Sequence, residues 1–425
     1  MKAVKMFGDS TKTGRRGWWG APGPVLWRAA LILPLLTGLL LIAVWIGGCA
    51  APEKHAVFEI SPDRYPHFTD DLRFDGLEPG IRQSRAYLQR VPPSKEFSFG
   101  ADSYSAAHLM RSMDTFLAFL QSSPTDGEVS RFIRDNYRIY RSVGNGPEKY
   151  VLFTGYYEPL LVARRQPDQT HRVPILGRPN DLVTIDLGAF SDKYTGERLI
   201  GRLTGQTVVP YHERRDIEEE GVLTGKAPVL AWIEDPVDLF FLQIQGSGRI
   251  LLDSGETLNV HYDSSNGRPY RSIGRRLIDD GKITLSEMSM QRIRSYLAAH
   301  PEETRSILNH NPSYVFFRVE EDGPLGFLEV KLTPGRSLAL DYRVFPLPAL
   351  AYIETEKPVM DDGGQIVGWE TFGRFVLSQD TGGAIRGPAR ADLFWGSGPY
   401  AEAAAGHMRQ KGNLYLMVLK PGKAG

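Results

Sequence analysis

The chain has 425 residues, of which 42% are hydrophobic and 24% charged, an ordinary globular composition for about two or three domains. Its 50 basic and 50 acidic residues give a formal net charge of zero, which excludes the basic excess expected of a nucleic-acid-binding protein. The nine histidines form no helical His-Glu-x-x-His pair and one cysteine cannot build a zinc site, so we predict no metal site and no cofactor.

The N-terminal region has the pattern of a secretory signal. Six basic residues lie between positions 2 and 28, and the uncharged apolar run 29–48 ends directly before Cys49. The Gly47-Gly48-Cys49 ending resembles a bacterial lipobox, which implies cleavage before Cys49 and lipidation of its thiol. An uncleaved membrane anchor is the alternative, because about 20 apolar residues can span a bilayer.

Either interpretation places the body of the protein outside the cytoplasm. We predict a leader over 1–48 and a polar, proline-bearing tether over 49–68. Ala50 stands where many bacterial lipoproteins carry the Asp that marks inner-membrane retention, which favours the outer membrane of a Gram-negative bacterium. The only cysteine is Cys49, so the exported fold cannot be stabilised by disulfides.

Helical patterns follow the tether, and a strand follows them. Apolar residues recur on one face of 105–121 and of 128–140, with a break predicted at Asp126-Gly127. Residues 150–159 are rich in strand formers and end in a turn signal. The candidate sugar contacts within it are Tyr156, Tyr157 and Glu158. The alternative is that these tyrosines are half-buried strand residues.

A second candidate binding surface lies in residues 239–252, which we predict to form a strand after the polar region 166–227. On a strand, alternate residues share one face, and here that face carries two amides, a hydroxyl and a guanidinium. It could contact a saccharide or simply be an exposed strand face. The residues concerned are Gln243, Gln245, Ser247 and Arg249.

Two helices and a β-rich segment complete the middle of the chain. The periodicity predicts helices over 270–280 and 289–300, the second stopped by Pro301. A β-rich C-terminal third begins near residue 311, and a final strand is predicted over 414–419.

The most informative stretch for chemistry is 379–396, which follows a strand-like segment at 371–377. Asp380 and Asp392 bracket a glycine-rich turn, and Arg386 and Arg390 can pair with these carboxylates or bind an anionic group. The alternative is an ordinary turn in which Asp380 bonds its own backbone. Because Asp392 is followed by Leu393-Phe394-Trp395, we expect apolar surroundings to raise its pKa, as a general acid requires.

One different catalytic arrangement is also suggested by short motifs. Asp253-Ser254-Gly255 and Asp380-Thr381-Gly382 both look like the Asp-Ser/Thr-Gly loops of aspartic proteases. The second follows Ser378-Gln379 instead of the usual apolar residues, and Gly255 suits a hairpin turn after Asp253.

Five colinear stretches together resemble the membrane-bound lytic murein transglycosylase A family. They are 153–159 (FTGYYEP), 243–248 (QIQGSG), 270–274 (YRSIG), 311–317 (NPSYVFF) and 380–387 (DTGGAIRG). The last third also resembles the three-aspartate domain of that family, with Asp341, Asp380 and Asp392 at the three positions. Asp341 is grouped with the candidate substrate-binding residues, although a structural role is an alternative.

The resemblance implies a mainly β fold with helices. It implies a double-psi β-barrel domain made from 69–158 plus 323–425, with a smaller β-rich domain inserted at 159–322. The glycan strand would lie in the groove between the two.

The resemblance also implies a reaction on peptidoglycan. Such enzymes cleave the β-1,4 bond between N-acetylmuramic acid and N-acetylglucosamine without water, and leave a 1,6-anhydro end. Asp392 matches the catalytic acid/base, and Asp380 is an electrostatic or hydrogen-bonding partner. A catalytically inactive peptidoglycan-binding lipoprotein is the alternative, but it would be expected to lack Asp392. The implied partners are glycan strands, the membrane through Cys49, and proteins of cell-wall synthesis or hydrolysis.

Overall fold

The computed structural model describes residues 55–422, and the leader and Cys49 lie outside this range. The α-helices are α1 (Leu77–Arg90), α2 (Ala106–Leu120), α3 (Asp126–Asn136), α4 (Arg214–Glu219), α5 (Pro236–Gln245), α6 (Ile273–Asp279), α7 (Met290–Ala299), α8 (Pro301–Leu308) and α9 (Pro399–His407). Within 55–422, no helix combines the length and apolar character needed to cross a membrane.

Strands account for most of the remaining regular structure. They are β1 (Val57–Ile60), β2 (Glu96–Phe99), β3 (Asp102–Ser105), β4 (Tyr137–Ser142), β5 (Val151–Tyr156), β6 (Leu160–Ala163), β7 (Val173–Leu176), β8 (Val183–Asp186), β9 (Arg198–Thr204), β10 (Thr207–Pro210), β11 (Val229–Ile233), β12 (Ser247–Leu252), β13 (Thr257–Ser265), β14 (Val315–Glu320), β15 (Ser337–Ala339), β16 (Leu350–Met360), β17 (Ile366–Asp380), β18 (Arg390–Phe394) and β19 (Arg409–Leu419).

A closed six-stranded barrel forms the largest part of the fold. The sheet has the order β1-β4-β19-β16-β17-β15-β18-β5, and an additional β19–β5 pairing closes the ring. Strands β16 and β17 are joined by a tight turn in which Asp361 Oδ1 accepts hydrogen bonds from the backbone of Gly363 and Gln365. Strands from the beginning and from the end of the described chain therefore share one sheet.

Alternation along β5 and β18 separates the barrel interior from its outer wall. Phe153 and Leu393 are fully buried in the main core, while Thr154 and Asp392, their strand neighbours, point to the opposite side. The outer side carries its own small buried cluster of Tyr156, Leu332, Ala339 and Phe394. A polar residue can therefore sit on the barrel wall without disturbing the core.

The N-terminal helices pack against this barrel. The helix predicted over 105–121 is confirmed as α2, and Ser105 caps it through the backbone N–H of His108. The helix predicted over 128–140 begins earlier, at Asp126, because Thr125 and Glu128 form a capping box. The predicted break between the two helices lies at 121–125, just before Asp126-Gly127, which are instead the first residues of α3. The helix also ends earlier, because residues from Tyr137 onward pair with β1 and β19 as β4.

A buried ion pair fastens the segment before α1 to the barrel. Both carboxylate oxygens of Asp70 accept hydrogen bonds from the guanidinium of Arg336, at 2.6 and 2.8 Å. Asp70 also accepts from the backbone N–H of Phe375 on β17 at 3.0 Å. Both ionic side chains are fully buried, so the pair and its hydrogen bonds must compensate each other's desolvation.

The chain between β5 and β15 forms smaller sheets with separate apolar clusters. These are a four-stranded sheet of order β14-β13-β12-β6, a three-stranded sheet β10-β9-β8 and the pair β11-β7. The strand predicted at 150–159 is β5, and those at 371–377 and 414–419 lie within β17 and β19. The helices predicted at 270–280 and 289–300 are α6 and α7, and the β-rich region after residue 311 opens with β14.

The strand predicted over 239–252 was wrong in its first half. Asp235 caps a helix that has Pro236 at its first position and ends at Gly246, whose φ is +81°. These are ordinary helix start and stop signals, and they override the strand propensity of the apolar run between them. Only the second half, β12, is a strand, so Gln243 and Gln245 do not share a strand face with Ser247 and Arg249.

Candidate active site

Asp380 and Asp392 are brought together by the short strand β15, which lies between their own strands. Ala339 on β15 pairs with Asp380 of β17 on one side and with Asp392 of β18 on the other. The two carboxylates are 12 positions apart in the chain, but at the barrel wall only one strand separates them. The site is thus built by strand pairing and not by the hairpin alone.

Asp392 is held by a short relay from the neighbouring strand β5. The hydroxyl of Thr154 donates to Asp392 Oδ1 at 2.8 Å, and Arg390 Nη2 donates to the same hydroxyl oxygen at 3.2 Å. Because the guanidinium occupies a lone pair of the hydroxyl oxygen, the hydroxyl hydrogen is directed to the carboxylate. Within residues 55–422, no protein hydrogen bond reaches the other oxygen, Oδ2.

The environment of Asp392 raises its pKa from 3.8 to about 6. Burial is the largest cause, because desolvation disfavours the carboxylate, and the negative charge of Asp380 acts in the same direction. The Thr154 hydrogen bond and the charge of Arg390 oppose this rise. The pKa of Asp392 is therefore raised, in the direction expected from the sequence.

Asp380 accepts three hydrogen bonds. Its Oδ2 accepts from the Tyr156 hydroxyl at 2.8 Å, and its Oδ1 accepts from the backbone N–H groups of Phe327 at 2.8 Å and Thr381 at 2.9 Å. Burial raises its pKa above 3.8, and the three hydrogen bonds counteract that rise. The carboxylate is consequently fixed on both oxygens, in contrast to Asp392.

The apolar surroundings of Asp392 differ from those expected. Leu393 points into the barrel core, and Trp395 packs there against Phe372, with ring centroids 6.5 Å apart. Only Phe394 shares the outer face with Asp392, where its ring lies 5.2 Å from that of Tyr156. The prediction that all three residues desolvate Asp392 was wrong, because alternate strand residues face opposite sides.

Asp341 organises the loop between β17 and β18. Its carboxylate accepts hydrogen bonds from Arg343 Nε and Nη2 at 2.8 and 2.7 Å, and from the backbone N–H of Gly387 at 2.8 Å. Burial opposes its ionisation, but these hydrogen bonds prevail and lower its pKa to about 2. Asp341 is fully buried, so the structural role is the one its contacts support.

Arg386, on the same loop, pairs with neither catalytic candidate. Its guanidinium donates to the backbone carbonyls of Gly382 and Ile385 at 3.0 and 3.1 Å. The side chain is exposed, so part of it stays accessible at the edge of the site.

The other candidate binding residues are divided between surface and interior. Tyr157, Gln243 and Ser247 are only 4–5% exposed, which argues against direct contact with a glycan. Gln243 instead accepts from buried Arg214 at 2.6 Å, and Gln245 accepts from the backbone N–H of Tyr157 at 3.0 Å.

Arg249 and Glu158 connect the inserted segment to the strand ends near the site. Arg249 Nε lies 3.2 Å from Glu158 Oε2, and its Nη2 donates to the Ser397 hydroxyl at 2.5 Å. Burial raises the pKa of Glu158, against the opposing charges of Arg249 and Lys331. Gln245 and Arg249 both stay partly exposed.

Known proteins resemble this chain in their domains, in sequence and in fold. Residues 152–318 match the MltA specific insert domain and residues 336–418 match the 3D domain. Membrane-bound lytic murein transglycosylase A of Escherichia coli K12 is 33% identical over 288 residues, covering 65% of this chain and 68% of that protein. The Vibrio cholerae protein of the same name is 30% identical over 380 residues, covering 88% and 92%.

The chain belongs to the membrane-bound lytic murein transglycosylase A family.

Solved structures of this family share the fold. A membrane-bound lytic murein transglycosylase from Agrobacterium tumefaciens is 32% identical, with a TM-score of 0.70 over 86% of this chain and 98% of that one. Escherichia coli MltA with bound chitohexaose is 25% identical, with a TM-score of 0.66 over 88% and 98%. The 3D-domain match includes Asp341, Asp380 and Asp392, and the insert-domain match spans β6 to β13.

Family membership gives no support to the hypothesis of an aspartic protease that uses Asp253 and Asp380. The position of Asp253 also argues against this hypothesis. This carboxylate lies after β12 in the inserted segment, where Arg164 Nη1 donates to it at 2.8 Å. Asp380 is instead bound by Tyr156 and by two backbone N–H groups. Among the described residues, Asp253 and Asp380 make no hydrogen bond to each other, as a proton-sharing pair would require.

Metal-binding potential lies elsewhere in the fold. Within residues 55–422, the side chains whose ligand atoms cluster closely enough for an ion are His300, Glu302 and Glu303, at the start of α8. None of the three is among Asp341, Asp380 and Asp392.

Two contributors to the site were not assigned a role by sequence reasoning. Thr154 lies within the FTGYYEP stretch, and its alternation with Phe153 could have placed it on the face of Tyr156. Phe327 contacts Asp380 through its backbone N–H. Because almost every residue has such a group, the sequence could not indicate this contact.

Proposed function

We propose that the chain cleaves the β-1,4 bond between N-acetylmuramic acid and N-acetylglucosamine in peptidoglycan, without water, with Asp392 as the single acid/base. The observation that carries this is the asymmetry of Asp392, since Oδ1 is bonded to Thr154 while Oδ2 has no protein partner within residues 55–422. One oxygen is held and the other is available to the substrate.

In the first step Asp392 acts as an acid. Since Oδ1 accepts the Thr154 hydrogen bond, the proton of the neutral acid resides on Oδ2, where it can be donated to the glycosidic oxygen. With a pKa of about 6, roughly a tenth of Asp392 is protonated at pH 7, compared with less than about a thousandth at the ordinary value of 3.8. The bond between the muramyl anomeric carbon and that oxygen breaks, and the oxygen leaves as the 4-hydroxyl of N-acetylglucosamine.

In the second step the same carboxylate acts as a base. The muramyl C6 hydroxyl attacks the anomeric carbon, and its proton passes to Asp392, which is restored to its starting state. The product is a 1,6-anhydro end, and no water is added or released. Because the nucleophile belongs to the substrate, one carboxylate replaces the usual pair of glycoside hydrolases.

Asp380 serves in this proposal as the electrostatic partner. Its three hydrogen bonds favour the ionised form, and a fixed negative charge would stabilise positive charge at the anomeric carbon. The same charge raises the pKa of Asp392. Tyr156 acts through Asp380, as a positioning residue.

The glycan would bind in a groove between two domains, which we propose are a double-psi β-barrel over 69–158 plus 323–425 and an insert over 159–322. Partly exposed Gln245 and Arg249 on the insert, and exposed Arg386 on the β17–β18 loop, are the proposed contacts. Glu158 supports Arg249 through their ion pair.

The proposed location is the periplasmic face of the outer membrane, with a lipid anchor on Cys49. The apolar run before Cys49 supports it, and the relatives from E. coli and V. cholerae are named as membrane-bound. Proteins of cell-wall synthesis or hydrolysis are the proposed protein partners.

The test is to incubate the full chain in detergent with purified peptidoglycan and to determine the product ends by mass spectrometry. Muropeptides one water lighter than hydrolysed ones, absent with Asp392→Asn, are expected. Hydrolysed ends would overturn the intramolecular mechanism. Binding to peptidoglycan without any cleavage would favour the inactive binding protein.

A further inference from the structure

Two exposed aromatic rings are stacked on each other near Asp380. Phe327 is 50% exposed and Tyr342 is 45% exposed, and their rings are stacked, with centroids 5.0 Å apart and planes 22° from parallel. Each ring covers part of the other, while its remaining surface faces solvent. Adjacent large apolar groups left open to water are a feature of binding surfaces.

The position of Phe327 is set by contacts on both sides of it. Its backbone N–H donates to Asp380 Oδ1, and the side chains of Leu328 and Val330, which follow it, are buried in the main core. Gly326 precedes it where an added Cβ would lie 2.8 Å from the Gln379 carbonyl oxygen, so the chain passes directly against the end of β17. The ring is thus exposed on a segment that is firmly held.

Tyr342 is fixed in a comparable way. It lies between Asp341, which is fully buried, and Arg343, which donates two side-chain hydrogen bonds to that carboxylate. The backbone N–H of Phe345 closes this turn by donating to the Asp341 carbonyl at 2.9 Å. Two of the three aspartates therefore hold one exposed ring each.

We propose that Phe327 and Tyr342 form an aromatic platform, in which an outer face of the stacked pair packs on one N-acetylhexosamine ring of the glycan strand. A pyranose presents a face of C–H groups, and this apolar face packs well on the flat apolar face of an aromatic ring. A charged group offers no such surface. The backbone N–H of Phe327 donates a hydrogen bond to Asp380, so the platform lies directly beside this carboxylate. The stacked sugar would therefore be about one or two sugar units from the cleaved bond. This inference rests on the proposed function, because it assigns a subsite of the same glycan.

The platform is tested by titrating chitohexaose calorimetrically into the full chain in detergent, in an Asp392→Asn background that prevents turnover. Phe327→Ala and Tyr342→Ala are each expected to raise the Kd for chitohexaose about three- to tenfold, which is the loss of affinity expected when one aromatic contact is removed. Phe327→Trp keeps a flat ring and is expected to retain parental affinity, whereas Phe327→Leu keeps apolar volume without a flat face and is expected to behave like Phe327→Ala.

The matched control is Phe190→Ala, which removes a 78% exposed ring from the region of the three-stranded sheet and is expected to leave Kd unchanged. Thermal unfolding of each variant shows that it is folded. Unchanged Kd in both alanine variants, or equal loss in Phe190→Ala, overturns the platform.

Kinetics on peptidoglycan separate a platform from a structural effect on Asp380. With Asp392 intact, Tyr342→Ala is expected to raise KM and to leave kcat within about twofold, because within residues 55–422 the Tyr342 side chain makes no hydrogen bond to Asp380 or Asp392. A fall in kcat with unchanged KM would overturn the proposal. Failure of the parent chain to produce anhydro ends would instead refute the proposed function, which the chitohexaose titration does not measure.

Discussion

The hydroxyl of Thr154 donates a 2.8 Å hydrogen bond to Asp392 across the parallel pairing of β5 and β18. This contact selects which carboxylate oxygen carries the proton, and it moderates a pKa that burial has raised. Both effects bear on the proposed acid step.

The pH dependence of activity follows from the pKa of Asp392. A general acid must be protonated in the free enzyme, so kcat/KM is expected to fall as pH rises through about 6. An acidic limb is expected where Asp380 is protonated, at a pKa above 3.8. The measurement is initial rate on peptidoglycan over pH 4–9 in about 0.1 M salt, which screens surface charges. A profile that rises continuously through neutral pH would contradict Asp392 as the acid.

Thr154→Val should shift the alkaline limb upward. Valine has a similar volume but no hydroxyl, so the bond that lowers the Asp392 pKa is lost and that pKa rises. A lower kcat is also expected, because the carboxyl loses its orienting contact. Thr154→Ser restores the hydroxyl and should keep the wild-type profile. If valine and serine gave the same alkaline limb, the hydrogen bond would have no role in tuning.

Asp380→Asn should move the alkaline limb in the opposite direction. Removing the negative charge removes a contribution that raises the Asp392 pKa, so protonated enzyme is lost at lower pH. We expect kcat to fall by about 10²–10⁴-fold if the charge also stabilises the transition state. Tyr156→Phe, which removes only the hydroxyl bonded to Asp380, is the graded comparison and should lose less. An unchanged pH profile in Asp380→Asn would show that the two carboxylates are not coupled.

The Asp341 carboxylate should stabilise the fold in a pH-dependent manner. Its pKa is depressed to about 2, so its contribution is present above 3.8 and is lost as pH falls toward 2. Asp341→Asn is expected to lower the free energy of unfolding by about 1–3 kcal/mol at pH 7, since Arg343 and Gly387 lose an anionic acceptor. Urea unfolding at pH 7 and pH 3 checks this, and the difference between wild type and variant should shrink at pH 3. A difference that grows at low pH would contradict the assignment.

Arg336→Met should destabilise the protein strongly. It leaves the Asp70 carboxylate buried without its ionic partner, at an expected cost of about 3–5 kcal/mol. The control is Arg82→Met, which removes an exposed pair with Glu78 that should contribute about 0.3–0.5 kcal/mol. Thermal unfolding measures both. The double variant Asp70→Leu with Arg336→Met should recover part of the loss, because no buried charge remains.

Local features were readable in the sequence. The periodicity of α2, the strand composition of β5 and the Asp-Gly pattern after β17 depend on neighbours a few residues away, so one sequence was enough to locate them. The order of five short stretches was enough to indicate the family, which the comparisons confirmed.

Errors arose where a local pattern was ambiguous. Residues 239–252 contain a run of apolar residues that suits either a helix or a strand. The first part of this run is helical, because Asp235 caps the start of α5 and Gly246 caps its end. Tyr137 lies on the apolar face of a helical pattern, yet it begins β4, because there its backbone pairs with Leu419 of β19.

The arrangement of the candidate active site was decided by tertiary structure alone. No sequence signal shows that β15 lies between β17 and β18 and so places Ala339 between Asp380 and Asp392. Likewise, the Thr154 hydroxyl is 238 positions from Asp392 in the chain, and the bond depends on the register of two paired strands. The sequence by itself determined which residue types were present and which short elements they form. Long-range strand pairing, driven by burial of the barrel core, decided which of those side chains meet.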